Sequence, residues 1–148
     1  MKTQDIAAAI DAPECFVLPI RVYYEDTDAA GVVYYANYLR FCERARTEWL
    51  RALGFEQRQM LAEHGVAFVV RALSADYVSS ARLDDALTVE TRISKLGRAS
   101  LVFSQKVLRG SELLFDSLIT IACVDTRRKR PASLPNPLRT LLQSRVQT

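Results

Sequence analysis

The spacing of polar and apolar positions changes period once along this chain. "FVLPIRVYY", Phe16–Tyr24, is dense in β-branched and aromatic residues and predicts a strand. Pro19 has no N–H to donate, so that strand is expected at a sheet edge, or to start late. Next, apolar residues recur at steps of three and four: Tyr38, Phe41, Cys42, Ala45, Trp49, Ala52 and Leu53. They form one stripe of a long helix, roughly Ala36–Leu53. Arg40, Glu43, Arg44, Arg46, Glu48 and Arg51 fill most of the other face. Gly54 offers a C-terminal stop, since glycine enters the left-handed conformation at little cost. "EQRQMLAEHG", Glu56–Gly65, reads as a short second helix, again ended by glycine.

After Gly65 the period becomes two. "VAFVVRALSADYV" (Val66–Val78), "ALTVETRISKL" (Ala86–Leu96), "ASLVFSQKVLR" (Ala99–Arg109) and "ELLFDSLITIACVD" (Glu112–Asp125) predict four strands. Short glycine-containing connections, "LGRA" and "RGSE", suit antiparallel hairpins. "PASLPNPLR" reads as a break in regular structure. Strand, long helix, short helix and four strands do not alternate as a parallel sheet requires. The expectation is an α+β domain: one antiparallel sheet of five strands with the long helix across one face. Phe103, Phe115 and the Val/Ile content make that sheet more apolar than one helix can cover. A second copy of the chain is therefore expected on the remaining surface. The domain is expected over residues 16–135, between a flexible leader (1–15) and a C-terminal tail (136–148).

Composition narrows the picture only a little. A chain of 148 residues, 49% hydrophobic and 25% charged, fits one domain. A net charge of +3 with a pI near 8.9 is weak support for a polyanion partner. The basic run Arg127–Arg130 reads equally well as a solvated turn. Cys15, Cys42 and Cys123 are odd in number and lack CxxC spacing, so neither a disulfide framework nor a metal site is expected. A reducing, cytoplasmic setting fits them. The N-terminus lacks the apolar core of a signal peptide, and no apolar run nears the ~18 residues of a spanning helix.

The candidate chemistry is narrower. His64 is the sole histidine, at the end of the short helix, so separate His bases and ligands cannot coexist. No GxSxG, P-loop or GxGxxG motif is present. A carboxylate assisted by backbone dipoles is the remaining polar catalyst. "YEDTDAAGVVYYANYLRF", Tyr24–Phe41, supplies one. Glu25, Asp26 and Asp28 precede a helix whose first amides, around Val33–Asn37, point outward with a partial positive charge. A carbonyl oxygen placed there is polarised as it gains charge. Gly31 permits a tight bend and close approach of a ligand. Asp28 is a candidate general base or nucleophile, although aspartates also serve turns and caps. Spacing alone does not choose among the three acids.

"YEDTDAAGVVYYANYLRFCERART" resembles the signature segment of hotdog-fold acyl-CoA thioesterases. The closest likeness is to the Tol–Pal-associated branch related to 4-hydroxybenzoyl-CoA thioesterase. It continues through "VAFVVRALSADYVSSARLDDALTVET", "SLVFSQKV" and "CVD", covering about Pro19 to Pro135. The resemblance implies the hotdog fold, a dimer or dimer of dimers (a homotetramer), and active sites at subunit interfaces. It selects Asp28 as the catalytic aspartate and the Tyr35 backbone amide as the carbonyl-polarising donor, with Gly31 and Val33 beside the substrate. It also implies that Arg98 and Ser100 lie near the coenzyme A portion, with Lys129 and Arg130 reaching its phosphates from a neighbouring subunit. No cofactor is implied, since coenzyme A belongs to the substrate. Members of that branch often have His where this chain has Tyr35, and "DAGG" where it has "DAAG". A short- to medium-chain or aromatic acyl-CoA is the implied substrate. A non-catalytic module binding acyl-CoA or acyl carrier protein is the alternative. A hydratase or a nucleic-acid role fits less well.

Overall fold

The computed structural model describes residues 15–146, so the leader expected over 1–15 lies, apart from Cys15, outside the described residues. The strands are β1 (Phe16–Arg21), β2 (Val66–Tyr77), β3 (Ala86–Leu96), β4 (Ser100–Arg109) and β5 (Glu112–Asp125). All pairings are antiparallel, in the order β1-β3-β4-β5-β2, and a two-residue β6 (Arg130–Pro131) flanks the end of β5. These match the segments read from periodicity almost end to end. β1 is an edge strand, with Pro19 opposite Thr88. β2 is the other edge.

The long helix α1 (Asn37–Ala52) crosses β1, β3 and β4, and every residue of its predicted apolar stripe is buried. Trp49 stacks on Phe16 at 6.0 Å and meets Phe103 edge-on at 6.3 Å. Helix α2 (Gln57–His64) ends at Gly65, whose φ of 67° is the left-handed conformation a glycine cap supplies.

Three expectations need correction. Arg46, placed on the solvent face by its charge, is buried, and its Nη1 donates to Gln105 Oε1 at 2.8 Å. Phe103 and Phe115 are buried within the chain itself; Val69, Val70, Leu73, Tyr77 and Val78, on and beside the β2 edge, are among the exposed apolar residues. Finally, the stretch read as a break in regular structure turns helical after Pro135. Helix α3 (Asn136–Gln143) begins with proline in its first turn, where no intrahelical hydrogen bond is lost, and buries Leu138 and Leu142. The packed domain thus runs past residue 135 into the expected tail.

Candidate active site

The loop from β1 to α1 is tied down residue by residue. A 3-10 turn over Tyr24–Asp26 leads into a tight turn in which Thr27 pairs with Val33. Asp28 N–H donates to Val32 O at 2.9 Å, and Gly31 N–H donates to Asp28 O at 2.9 Å. Gly31 has φ 79° with nothing within 4 Å of where a Cβ would stand, so the turn's conformation, not space, calls for glycine.

The two aspartates of "DTD" have opposite surroundings. Asp26 is buried; its Oδ2 accepts from Tyr23 N–H at 2.9 Å and its Oδ1 from Asn37 Nδ2 at 2.8 Å. Its carbonyl accepts from Tyr34 N–H at 2.8 Å. Asp26 therefore fastens the end of β1 to the start of α1. Asp28 is exposed; Oδ1 accepts from Ala30 N–H at 2.8 Å, an Asx turn, while Oδ2 has no partner among the described residues. That arrangement orients the carboxylate and leaves its second oxygen open toward the cleft. Glu25 is exposed on the 3-10 turn.

Not every amide expected at the helix mouth is available. Val33 N–H donates to Ala81 O, Tyr34 N–H to Asp26 O and Asn37 N–H to Tyr34 O, each at 2.8 Å. The N–H groups of Tyr35 and Ala36 have no acceptor among the described residues. Asp28 and Tyr35 line one open cleft of about 370 Å³, together with Tyr34, Tyr38, Tyr77 and Ser79. Val33 reaches the cleft as well, though its side chain belongs to the core; Gly31 is not among the cleft's lining residues. The Tyr35 hydroxyl beside Tyr34, and more weakly the charge of Asp28, push the Tyr34 phenol above its ordinary value.

Known proteins bear on this cleft. The Thioesterase superfamily profile matches residues 30–115. The acyl-CoA thioesterase YbgC of Haemophilus influenzae is 48% identical over 124 residues, covering 84% of this chain and 91% of that protein. The chain belongs to the thioesterase superfamily. The long-chain acyl-CoA thioesterase FadM of Escherichia coli is 32% identical, covering 75% of this chain and 84% of its own. A probable thioesterase from Bartonella henselae superposes with a TM-score of 0.78 at 37% identity, over 82% of this chain and 99% of that one. The expected fold class holds: a hotdog fold, with its antiparallel sheet curled about one long helix.

Within this thioesterase-superfamily chain, the residues assigned to coenzyme A lie far from Asp28. Phe115, beside the cleft residue Tyr77, and Ala122, opposite Ser100, are both on β5. They are separated by about 23 Å of strand. Arg98 Nη1 donates to Ser133 Oγ at 3.0 Å, and Arg139 Nη2 donates to the carbonyls of Gly97 and Arg98 at 2.6 and 2.8 Å. Ser100 opens β4 at the same loop, its carbonyl accepting from Gly97 N–H at 2.7 Å. Lys129 (φ 54°) and Arg130 are exposed after a turn in which Asp125 Oδ1 accepts from the Arg127 and Arg128 amides at 2.9 Å each. A single chain does not bring these four residues to the cleft. His64 is exposed at the end of α2. Sequence reading did not single out Tyr77 or Ser79. Their position at the end of an edge strand, in the segment "ADYVSS", was the available signal.

Proposed function

We propose that this chain hydrolyses an acyl-CoA thioester, with Asp28 as general base or nucleophile and the Tyr35 amide as the polarising donor. One observation carries the reading: a carboxylate oxygen and a backbone N–H, neither with a partner among the described residues, line the same cleft. As a base, Asp28 takes a proton from water, and the oxygen adds to the carbonyl carbon. The Tyr35 N–H holds the developing oxyanion, the C–S bond breaks, and coenzyme A leaves as the thiol after taking up the proton. As a nucleophile, Asp28 adds to the carbonyl carbon and expels the coenzyme A thiolate as the C–S bond breaks; water then cleaves the resulting acyl anhydride, releasing the acid and restoring the Asp28 carboxylate. The tyrosine-rich wall suits a short- to medium-chain or aromatic acyl group.

The reading includes a dimer formed through β2. Among the described residues its outer edge has no partner strand, and Val69, Val70 and Leu73 on it are exposed. Two copies joined there antiparallel, about a two-fold axis, set the Val66 end of one against the Tyr77 end of the other. Arg98, Ser100, Lys129 and Arg130 of one protomer then approach the cleft of its partner, near enough to serve coenzyme A phosphates. Pairing of two such dimers is the expected larger assembly.

Thiol release from a panel of acyl-CoAs, with Asp28→Asn in parallel, tests the reading. The expected loss in turnover is at least ~10²-fold. Tight CoA-ester binding with no thiol release by the unmodified protein would instead make this a binding module. A strictly monomeric species in sedimentation at micromolar concentration removes the dimer.

A further inference from the structure

The residue that meets the catalytic backbone from outside is Tyr77. Its Oη donates to the Tyr35 carbonyl at 2.8 Å. The ring is fixed on several sides: Phe115 at 5.0 Å, Tyr38 at 5.6 Å and Tyr35 at 6.3 Å, all edge-on. Phe115 is also its partner opposite on β5, so the phenol is carried by the sheet rather than by a loop.

That contact falls on an unusual helix start. Ala36 is the N-cap, and no side chain caps α1. The peptide whose carbonyl Tyr77 holds is the one whose N–H belongs to Ala36, and that N–H has no acceptor among the described residues. Across a trans peptide the carbonyl and the N–H point in opposite directions. Fixing the oxygen therefore fixes the aim of the N–H, and a donor on the oxygen strengthens the N–H as a donor. Rotation about the Tyr35 Cα–C bond is restrained at the same time.

We propose that Tyr77 is a positioning residue. Its hydroxyl orients the Tyr35–Ala36 peptide so that the Ala36 N–H joins the Tyr35 N–H at the thioester oxygen. The oxyanion site then has two backbone donors held from the sheet side. This rests on the reading of Asp28 and Tyr35 given above. Burial first, and then the neighbouring tyrosines, raise the Tyr77 phenol above its ordinary value, so it remains a donor at neutral pH.

Tyr77→Phe removes one hydroxyl and leaves the ring. With benzoyl-CoA and hexanoyl-CoA, kcat should fall about tenfold, less than the ~10²–10³ seen when an oxyanion donor is lost outright, with KM within about twofold of wild type. A second readout does not need turnover. The dethia analogue of hexanoyl-CoA, with CH2 in place of the thioester sulfur, carries a ketone at the thioester position and is not hydrolysed; its carbonyl stretch should shift to lower frequency when bound. Tyr77→Phe should lose part of that shift at full occupancy. A wild-type kcat and an undiminished carbonyl shift overturn the proposal. A raised KM at unchanged kcat also overturns it, since the hydroxyl would then contact substrate. Asp28→Asn in the same assays separates the two levels. An active Asp28→Asn removes the site reading itself, whereas an inactive Asp28→Asn beside a wild-type Tyr77→Phe removes only the role of Tyr77.

Discussion

Arg46 and Gln105 place a guanidinium against a neutral amide inside the core, with Nη1 and Oε1 2.8 Å apart. Gln105 is used at both ends: its Nε2 donates to Cys42 O and to Thr91 Oγ1, each at 2.9 Å. This one side chain joins α1, β3 and β4. Burial lowers the pKa of the Arg46 guanidinium, partly offset by Cys42 and Glu43 nearby, and burial raises that of the Cys42 thiol to about 12.

Removing the amide should therefore cost more than removing the charge. Gln105→Leu leaves a buried cation unpaired and should destabilise the fold by about 3–5 kcal/mol. Arg46→Met orphans only one amide oxygen and should cost about 1–3 kcal/mol. The double variant should be more stable than Gln105→Leu alone. Urea unfolding of all four proteins closes the cycle. An equal cost of Gln105→Leu with and without Arg46 would show that the charge is not the cause.

Asp26 and Asp28 should separate stability from turnover. Asp26→Ala strands the half-buried Tyr23 amide and the buried Asn37 side chain. About 2–4 kcal/mol of stability should go with them. Asp28→Asn keeps an oxygen for the Ala30 amide on the exposed turn, so stability should hold within about 0.5 kcal/mol while kcat collapses. Calorimetry beside the thiol-release assay reads both. Equal stability losses from the two substitutions would contradict this division.

Truncation after Pro135 tests whether α3 belongs to the domain. The helix buries Leu138 and Leu142, and Arg139 holds the loop that carries Arg98. Each buried leucine contributes about 1.5–3 kcal/mol. The shortened chain should lose about 3–6 kcal/mol by that measure, and its KM for acyl-CoA should rise because the loop that carries Arg98 loses its two bonds from Arg139. An unchanged melting temperature would make the helix dispensable.

Periodicity reveals the strands and α1 because burial on one face is a local property of residues two, three or four apart. It fails where a charge is buried. Arg46 carries the mark of a solvent face, and its partner Gln105 is 59 positions away. That Asp28 and Tyr35 share one cleft was legible because they lie close in sequence. Tyr77 was not, since it reaches Tyr35 across 42 positions and its hydroxyl touches backbone rather than any motif residue. Helix α3 was hidden by its prolines, which break a helix interior but suit its first turn.

The segment bringing Ala81 to the site should weaken in acid. Ala81 N–H donates to Tyr38 Oη at 3.0 Å, and its carbonyl accepts from Val33 N–H at 2.8 Å, so this segment backs the cleft. It is fastened by Asp85, whose Oδ2 accepts from Arg109 Nη1 at 2.7 Å and from Arg82 N–H at 2.8 Å. Burial opposes the charge on Asp85, but those bonds outweigh it and hold the carboxyl below the usual range. A depressed native value means that the unfolded chain binds the proton more readily. The stabilisation is therefore fully present well above the unfolded value near ~3.9 and is lost as pH falls through the lower native value. Asp85→Asn should melt a few degrees below wild type at neutral pH, and the gap should stay level down to about pH 5. Below about pH 4 it should close as wild type loses the same interaction. Melting temperatures for both proteins across that range check the sign, and a gap that widens in acid would mean that Asp85 fastens the segment in its protonated form.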